Sequence, residues 1–192
     1  MKANRLEAFS DGVIAIIITI MVLELKPPQD STLPALLKLW PVLSSYALSF
    51  VIVAIYWVNH HHLIHLAHKV DARILWANIN LLFWMSLMPW VTAYLGSSRA
   101  APMSVAFYGA VSQLCCLSFL VLRRSIARHH QDNAELMRLH AMRLRKNLIA
   151  SSIYMASIPT ACVHVPLAVV FLVLPPLMYF VPDRRVEAGT SE

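Results

Sequence analysis

Glycine and cysteine are both scarce in this sequence, and their scarcity excludes several kinds of site. The glycines are Gly12, Gly96, Gly109 and Gly189. They form no glycine-rich loop that could cradle a phosphate or present a ring of backbone carbonyls to an ion. Of the three cysteines, Cys115 and Cys116 are adjacent and Cys162 is distant, which fits neither a disulfide framework nor a zinc knuckle.

Catalytic patterns are also missing. The sequence has no arrangement of serine, histidine and aspartate, or of cysteine and histidine, with the context that hydrolysis would need. We therefore predict that the protein is not an enzyme, that it has no catalytic residue and that it needs no cofactor.

Charge is scarce too: 14% of the 192 residues are charged and 58% are hydrophobic. Several apolar runs approach or exceed the 18 or so residues that a membrane helix needs. Alternating strand-length segments are absent, so the expected fold is an all-α integral membrane protein, one domain over residues 1–192. The net charge of +6 comes from basic residues beside apolar runs, so the expected partner is the lipid bilayer and not nucleic acid.

The hydropathy pattern predicts six transmembrane helices. Their expected ranges are about 7–25, 33–66, 74–95, 103–122, 148–163 and 165–181. Arg123 and Arg124 are expected to stop the fourth span, and Pro159 to kink the fifth. The basic connector from Arg123 to Lys146 is expected to hold a short interfacial helix, with His129 and His130 solvated.

Six spans place both termini on one side of the membrane. Of the 16 lysines and arginines, all but Lys26, Lys38 and Arg99 fall on that side. The positive-inside rule then places both termini in the cytoplasm of a multi-pass protein of the cell inner (plasma) membrane. Glu7 and Asp11 interrupt the start of the first apolar run, so we interpret it as a retained span and not as a signal peptide.

The first span has an unusually short uncharged stretch, Gly12 to Leu23. Twelve helical residues cover about 18 Å, whereas the hydrocarbon core of a bilayer is about 30 Å thick. The stretch carries a helical stripe, which we call the first-span stripe: Ile16, Thr19, Ile20 and Leu23, at i, i+3, i+4 and i+7. Such a stripe usually packs inside a protein, but copies around an axis would stack apolar rings that gate by dewetting.

Three consecutive spans carry their polar residues at one depth. These residues are Ser10 and Asp11, then Asn59, His60 and His61, then Asn78 and Asn80. Polar groups in a membrane are costly unless they are paired, so we expect an interhelical network in which Asp11 accepts from a histidine or asparagine. Arg5 is expected nearer the interface. A structural network, a proton relay and ion binding all remain open.

The histidines of the second span also admit a metal site. His61, His65 and His68 share one helical face at i, i+4 and i+7. Three imidazoles can bind zinc, but no carboxylate or thiolate completes the set locally. A helix end exposed to water at the membrane interface explains His65 and His68 equally well. We therefore predict no metal site.

Several motifs resemble those of the transmembrane protein 175 family of potassium channels. Arg5-x-x-x-Phe9-Ser10-Asp11 is similar to the first motif of that family, and the match continues through Gly12, Ala15, Ile16, Thr19 and Leu23 to Leu25. The second span has WVNHH at 57–61, and the third has Asn80, Leu81, Pro89, Thr92 and Leu95. Trp90 stands where phenylalanine is expected. The resemblance covers all six spans, with motifs only in the first three.

The resemblance implies a homotetramer that conducts potassium ions through a pore lined by the first span. Ile16 would form the main constriction, and Thr19, Ile20 and Leu23 would complete the lining. The family lacks the TVGYG carbonyl filter, as this chain does. The other motif residues would hold the first span in place: Arg5, Phe9, Ser10, Asp11, Trp57, Asn59, His60, His61 and Asn80.

Two alternatives differ in class from a channel for potassium. A proton channel or proton-coupled transporter would use Asp11 and the second-span histidines as a relay. The position of the polar residues at one end and the absence of a visible repeat count against a transporter. A metal-dependent enzyme inside the membrane would use the histidine face.

Overall fold

The computed structural model describes residues 3–67, 70–128 and 134–180, with the side chains of residues 134–143 and 180 left out of the description. Every regular element in this part of the chain is a helix, as expected. The helices are α1 (Ala3–Leu23), α2 (Leu33–Leu37), α3 (Trp40–His65), α4 (Ala72–Met85), α5 (Met88–Ser97), α6 (Pro102–Ala127), α7 (Ala134–Val163) and α8 (Val165–Phe180).

Four segments of the described chain are long and apolar enough to cross a membrane. They are α1, α3, the pair α4–α5 taken together as Ala72–Ser97, and α6. The described part of α8 is apolar but shorter, at Val165–Tyr179. The 21 residues of α1 correspond to about 31 Å at the helical rise of 1.5 Å per residue, which is long enough for a bilayer core.

The second and third predicted spans are each built from two helices. A break at Lys38 and Leu39 separates α2 from α3, and another at Ser86 and Leu87 separates α4 from α5. Both α3 and α5 have a proline in their first turn, Pro41 and Pro89. A proline lacks the N–H that the preceding turn would need, so it starts a new helix more readily than it continues one.

The region after the fourth span differs from the prediction. Helix α6 continues past Arg123 and Arg124 to Ala127, and Arg123 is only 4% exposed, with its guanidinium carbon 5.2 Å from the centroid of the Phe119 ring. Helix α7 runs without interruption from Ala134 to Val163, so the predicted fifth span and its interfacial helix are one helix, with Pro159 inside it. His129 and His130 lie outside the described residues.

The predicted turn between the fifth and sixth spans is a single residue, His164. Its Nδ1 accepts the backbone N–H of Leu167 at 3.2 Å and so caps the first turn of α8. The Tyr179 hydroxyl donates to Asn147 Oδ1 at 2.5 Å. Because these two residues stand at similar distances from the turn, 17 and 15 residues from His164, α7 and α8 form an antiparallel hairpin.

Helix α6 is at the centre of the fold, packed against α4, α5, α7 and α8, while α1 lies at one side against α3, α4 and α5. Helix α3 also approaches α5 closely. A Cβ added at Gly96 would lie 2.8 Å from the Val42 Cα, so only a residue without a side chain allows this approach. The contact fixes α3 and α5 as the surface on which α1 rests.

Candidate pore helix and its polar anchor

Helix α1 buries one face within its own protomer. The buried residues are Leu6, Ser10, Ile14, Ile17 and Met21, and each is at most 2% exposed. Their spacing of three or four residues draws a single line down the helix. This line of residues packs against α3, α4 and α5, so one face of α1 is buried within a single chain.

The other face of α1 carries the first-span stripe and is uncovered. Ile16 is 59% exposed, Ile20 43% and Leu23 73%. Thr19 is exposed as well. Its hydroxyl donates a hydrogen bond to the Ala15 carbonyl at 2.8 Å, so the hydroxyl proton has a partner within the helix. Gly12 lies on the same face, and a Cβ added there would meet no atom within 4 Å. The structure therefore brings the four predicted pore residues together on a surface that its own protomer leaves open.

Three buried polar side chains, linked by hydrogen bonds, hold the N-terminal half of α1. Asn78 Nδ2 donates to Ser10 Oγ at 2.9 Å, and Asn78 Oδ1 lies 2.7 Å from His60 Nε2. Because an amide oxygen can only accept, His60 Nε2 carries the proton of this bond. All three residues are at most 1% exposed, and Ser10 Oγ also donates to the Leu6 carbonyl at 2.9 Å. We call Ser10, Asn78 and His60 the buried anchor.

Two further contacts between α1 and α3 lie beside the buried anchor. Trp57 Nε1 donates to Asp11 Oδ1 at 3.0 Å, and His61 Nδ1 lies 2.7 Å from Glu7 Oε1. Glu7 and Asp11 are four residues apart on α1, and Trp57 and His61 are four apart on α3, so the two antiparallel helices pair turn by turn. The prediction that Asp11 accepts from a histidine or asparagine is wrong: its partner is an indole.

Three of the residues predicted to hold the first span in place do not do so in the way expected. Asn80 Nδ2 donates to Ser118 Oγ at 2.7 Å and so joins α4 to α6. Asn59 Nδ2 donates to the Ile55 carbonyl of its own helix at 2.8 Å. Phe9 is 57% exposed and lies on the uncovered side of α1. Arg5 is exposed near the start of α1, as expected for a residue at the interface.

A second buried polar cluster was not predicted. Thr92 Oγ1 lies 2.6 Å from Ser49 Oγ, which in turn lies 2.8 Å from the Tyr108 hydroxyl. These residues come from α5, α3 and α6, and all three are at most 5% exposed. Thr92 could be singled out by its motif, but Ser49 and Tyr108 carry no signal in the sequence. The cluster joins the helices that support α1.

The second-span histidines have a carboxylate partner that is distant in the sequence. This partner is Glu7 of α1, which lies against His61 and His65. We call these three residues the Glu7 cluster. The nitrogen and oxygen atoms that they offer all lie within 4.8 Å of one another. His68, the third predicted member of the histidine face, lies outside the described residues.

Comparison with known proteins gives a consistent set of relatives. Residues 5–89 match the family model described as endosomal/lysosomal potassium channel TMEM175. A potassium channel of Chryseobacterium sp. (strain P1-3) is 42% identical over 192 residues, which is the whole of both chains. The endosomal/lysosomal proton channel TMEM175 of Gallus gallus is 30% identical over 131 residues, 62% of this chain and 26% of that protein.

A solved structure has the same fold. The crystal structure of a lysosomal potassium-selective channel TMEM175 homolog from Chamaesiphon minutus aligns with a TM-score of 0.81 and 26% identity. The alignment covers 93% of this chain and 96% of that one. The likeness therefore includes the helices after residue 89, where the family model ends.

Proposed function

The chain belongs to the TMEM175 family, and from this membership we propose that it is a potassium-permeable channel that conducts passively. The relatives named as potassium channels support potassium as the permeant ion, and one of these relatives matches this chain along its whole length. The observation that carries the proposal is the double use of α1. One of its faces is buried in the protomer, and the opposite face, bearing the first-span stripe, is left uncovered.

The proposed topology has six spans: α1, α3, α4–α5, α6, α7 and α8. The positions of the helix ends support it. Lys26, after α1, and Leu39, before α3, line one pocket together with Ser97, at the end of α5. At the opposite end, the start of α1 meets the end of α3 through Glu7 and His61. With the bias of lysine and arginine, this arrangement favours cytoplasmic termini in the inner (plasma) membrane.

The proposed pore lies between copies of the chain, because one protomer cannot enclose it. In a homotetramer with α1 nearest the axis, Ile16 would form the narrowest ring and Thr19, Ile20 and Leu23 would line the rest. A narrow ring of isoleucine side chains excludes water and therefore ions. Conduction then requires the ring to widen. The pore would discriminate potassium without a filter of backbone carbonyls.

The role proposed for the polar residues is to hold α1 while its other face lines the pore. The buried anchor fixes the helix on α3 and α4, and the Asp11–Trp57 bond adds a second attachment to α3. None of these groups reaches the first-span stripe, which lies on a different face of α1. They therefore act on the position of the pore lining and do not contact the permeant ion.

The test is potassium flux into proteoliposomes for the wild type beside Ile16→Asn and Ile16→Ala. A polar or smaller side chain should wet or widen the constriction, so we expect higher flux and weaker discrimination against sodium. Val22→Asn is the matched control, because Val22 is also apolar and exposed on α1, at 44%, but lies outside the stripe. Equal flux and selectivity in the wild type and both Ile16 variants would exclude Ile16 from the pore.

Proton conduction is the second candidate, and the name of the Gallus gallus relative favours it. The residues proposed to carry protons would be Asp11 and the second-span histidines. Their contacts argue against a continuous relay, since Asp11 is bonded to Trp57 and His60 to Asn78. The same liposomes loaded with a pH-sensitive dye separate the two functions. Proton flux without potassium flux would favour the second.

A further inference from the structure

The Glu7 cluster joins α1 to α3 at the end of the bundle where α1 begins. Glu7 Oε1 lies 2.7 Å from His61 Nδ1 and 3.4 Å from His65 Nε2. The two histidines stand at i and i+4 on α3, and their ring centroids are 4.4 Å apart. Three groups that can each donate a lone pair to a metal thus converge from two helices.

The three donor atoms lie within 4.8 Å of one another, which places them within reach of a single tetrahedral transition metal. With metal–ligand bonds of about 2.0–2.1 Å, two ligands of a tetrahedral ion lie about 3.3 Å apart. The separation of 3.4 Å between Glu7 and His65 already matches this value. The separation of 2.7 Å between Glu7 and His61 is that of a direct hydrogen bond, and replacing its proton by a metal requires the two groups to move apart by about 0.6 Å.

Access to the cluster is open on one side. The Glu7 side chain is 15% exposed, whereas the side chains of His61 and His65 are 42% and 59% exposed. The carboxylate is therefore held inside, and the imidazoles face outward where an ion could enter. Three protein ligands with a free fourth position for water are a common arrangement for zinc.

We propose that Glu7, His61 and His65 bind one zinc ion, or a related divalent transition metal, per chain. Imidazole nitrogens select transition metals over magnesium and calcium, which prefer oxygen ligands. The site is separate from the proposed constriction, because the rise from Glu7 to Ile16, nine residues further along the helix, is about 14 Å. A bound ion would not plug that ring. It would fasten the start of α1 to the end of α3, next to the buried anchor.

The experiment is zinc binding to the purified full chain after treatment with a chelator, followed by titration calorimetry and by metal analysis. We expect one zinc ion per chain and no binding of magnesium at the same concentration. Glu7→Gln, His61→Ala and His65→Ala should each lower the zinc affinity by about tenfold or more, since each removes a ligand. Zinc should also raise the melting temperature of the wild type, because it binds the folded state.

His62→Ala is the matched control. His62 is in the same turn of α3, but its Nδ1 lies 2.6 Å from the Val58 carbonyl and it has no part in the cluster. Its zinc affinity should stay within about twofold of the wild type. His65→Ala is the variant least prone to misfold, because that side chain is the most exposed of the three. Gel filtration and melting without metal check the fold of each variant.

The proposal is overturned if the wild type binds zinc no better than magnesium, or if all three ligand variants keep the wild-type affinity. It is also overturned if His62→Ala loses as much affinity as His65→Ala does. The assay requires no ion flux, so its outcome does not depend on the proposed channel function.

Discussion

Helices α1 and α6 have similar hydropathy, yet the fold uses them in opposite ways. In the most apolar 18-residue window of α6, 67% of the residues are buried, against 28% in α1. Helix α6 is enclosed by α4, α5, α7 and α8, while α1 touches its protomer along one line. Hydropathy identifies both as membrane helices, but only burial separates the helix that supports the protomer from the helix available for assembly.

The polar residues are also distributed differently along the two helices. On α6 they are spread along the helix and bridge to its neighbours: Gln113 Nε2 donates to Ser151 Oγ at 2.8 Å, and Ser118 Oγ accepts from Asn80 at 2.7 Å. On α1 the buried polar group and the charged groups all come before Gly12, and the stripe beyond them is apolar except for Thr19. An enclosed helix can form polar contacts at every level, whereas the polar contacts of α1 lie mainly at one end.

The largest expected difference in stability comes from filling a glycine on each helix. A Cβ at Gly109 of α6 would collide with Ser157 Oγ and lie 3.4 Å from Ile158 Cγ1, whereas Gly12 of α1 faces open space. Gly109→Leu should therefore cost about 1–3 kcal/mol through overpacking, and Gly12→Leu should not destabilise the chain. Thermal unfolding in detergent measures both. Equal losses would mean that α1 is as enclosed as α6.

A smaller effect should separate the attachments of α1 from those of α6. Asn78→Leu removes both bonds of the buried anchor, and Asn80→Leu removes the bond from α4 to Ser118 of α6. Each should cost about 0.5–2 kcal/mol, the range of hydrogen bonds within membranes. Hydrogen exchange should reveal the difference: only Asn78→Leu should speed exchange in the first turns of α1. Faster exchange there in Asn80→Leu would show that α1 is held through α6.

The contact of Asp11 with Trp57 should contribute less, because Trp57 is 43% exposed. Asp11→Ala and Trp57→Phe should be coupled by about 1 kcal/mol or less in a double-mutant cycle. We expect Asp11→Ala to disturb assembly or gating more than selectivity, since Asp11 lies beside α3 and off the stripe. A clean change of selectivity in intact oligomers would make Asp11 an ion site.

The smallest effect on stability is expected from Thr19→Val. Within the described part of the chain, the Thr19 hydroxyl bonds to the carbonyl of Ala15 in its own helix, and the side chain is exposed. Its loss should change the free energy of unfolding by less than about 0.5 kcal/mol. Flux is the sharper readout, since the proposed pore would lose a ring of hydroxyls. Unchanged flux and selectivity would remove Thr19 from the lining.

Much of the site on α1 could be predicted from spacing alone. Helical periodicity grouped Ile16, Thr19, Ile20 and Leu23, and the structure places them on one uncovered face. Counting residues from the helix ends placed Ser10, His60 and Asn78 at one depth, and these three residues do form the buried anchor. The partner of Asp11 could not be predicted, because depth limits the candidates but does not say which neighbouring side chain lies on the facing side.

The sequence by itself determined that the chain is helical, that several of its helices can cross a membrane, and that α1 carries an apolar stripe above a polar end. These features follow from the order of residues along a helix of fixed pitch. Only the tertiary structure decided that Glu7 meets His61 and His65, that Trp57 bonds Asp11, and that the stripe faces outward. Those outcomes depend on the rotation and offset of α1 against α3, which are set by the packing of the buried line from Leu6 to Met21.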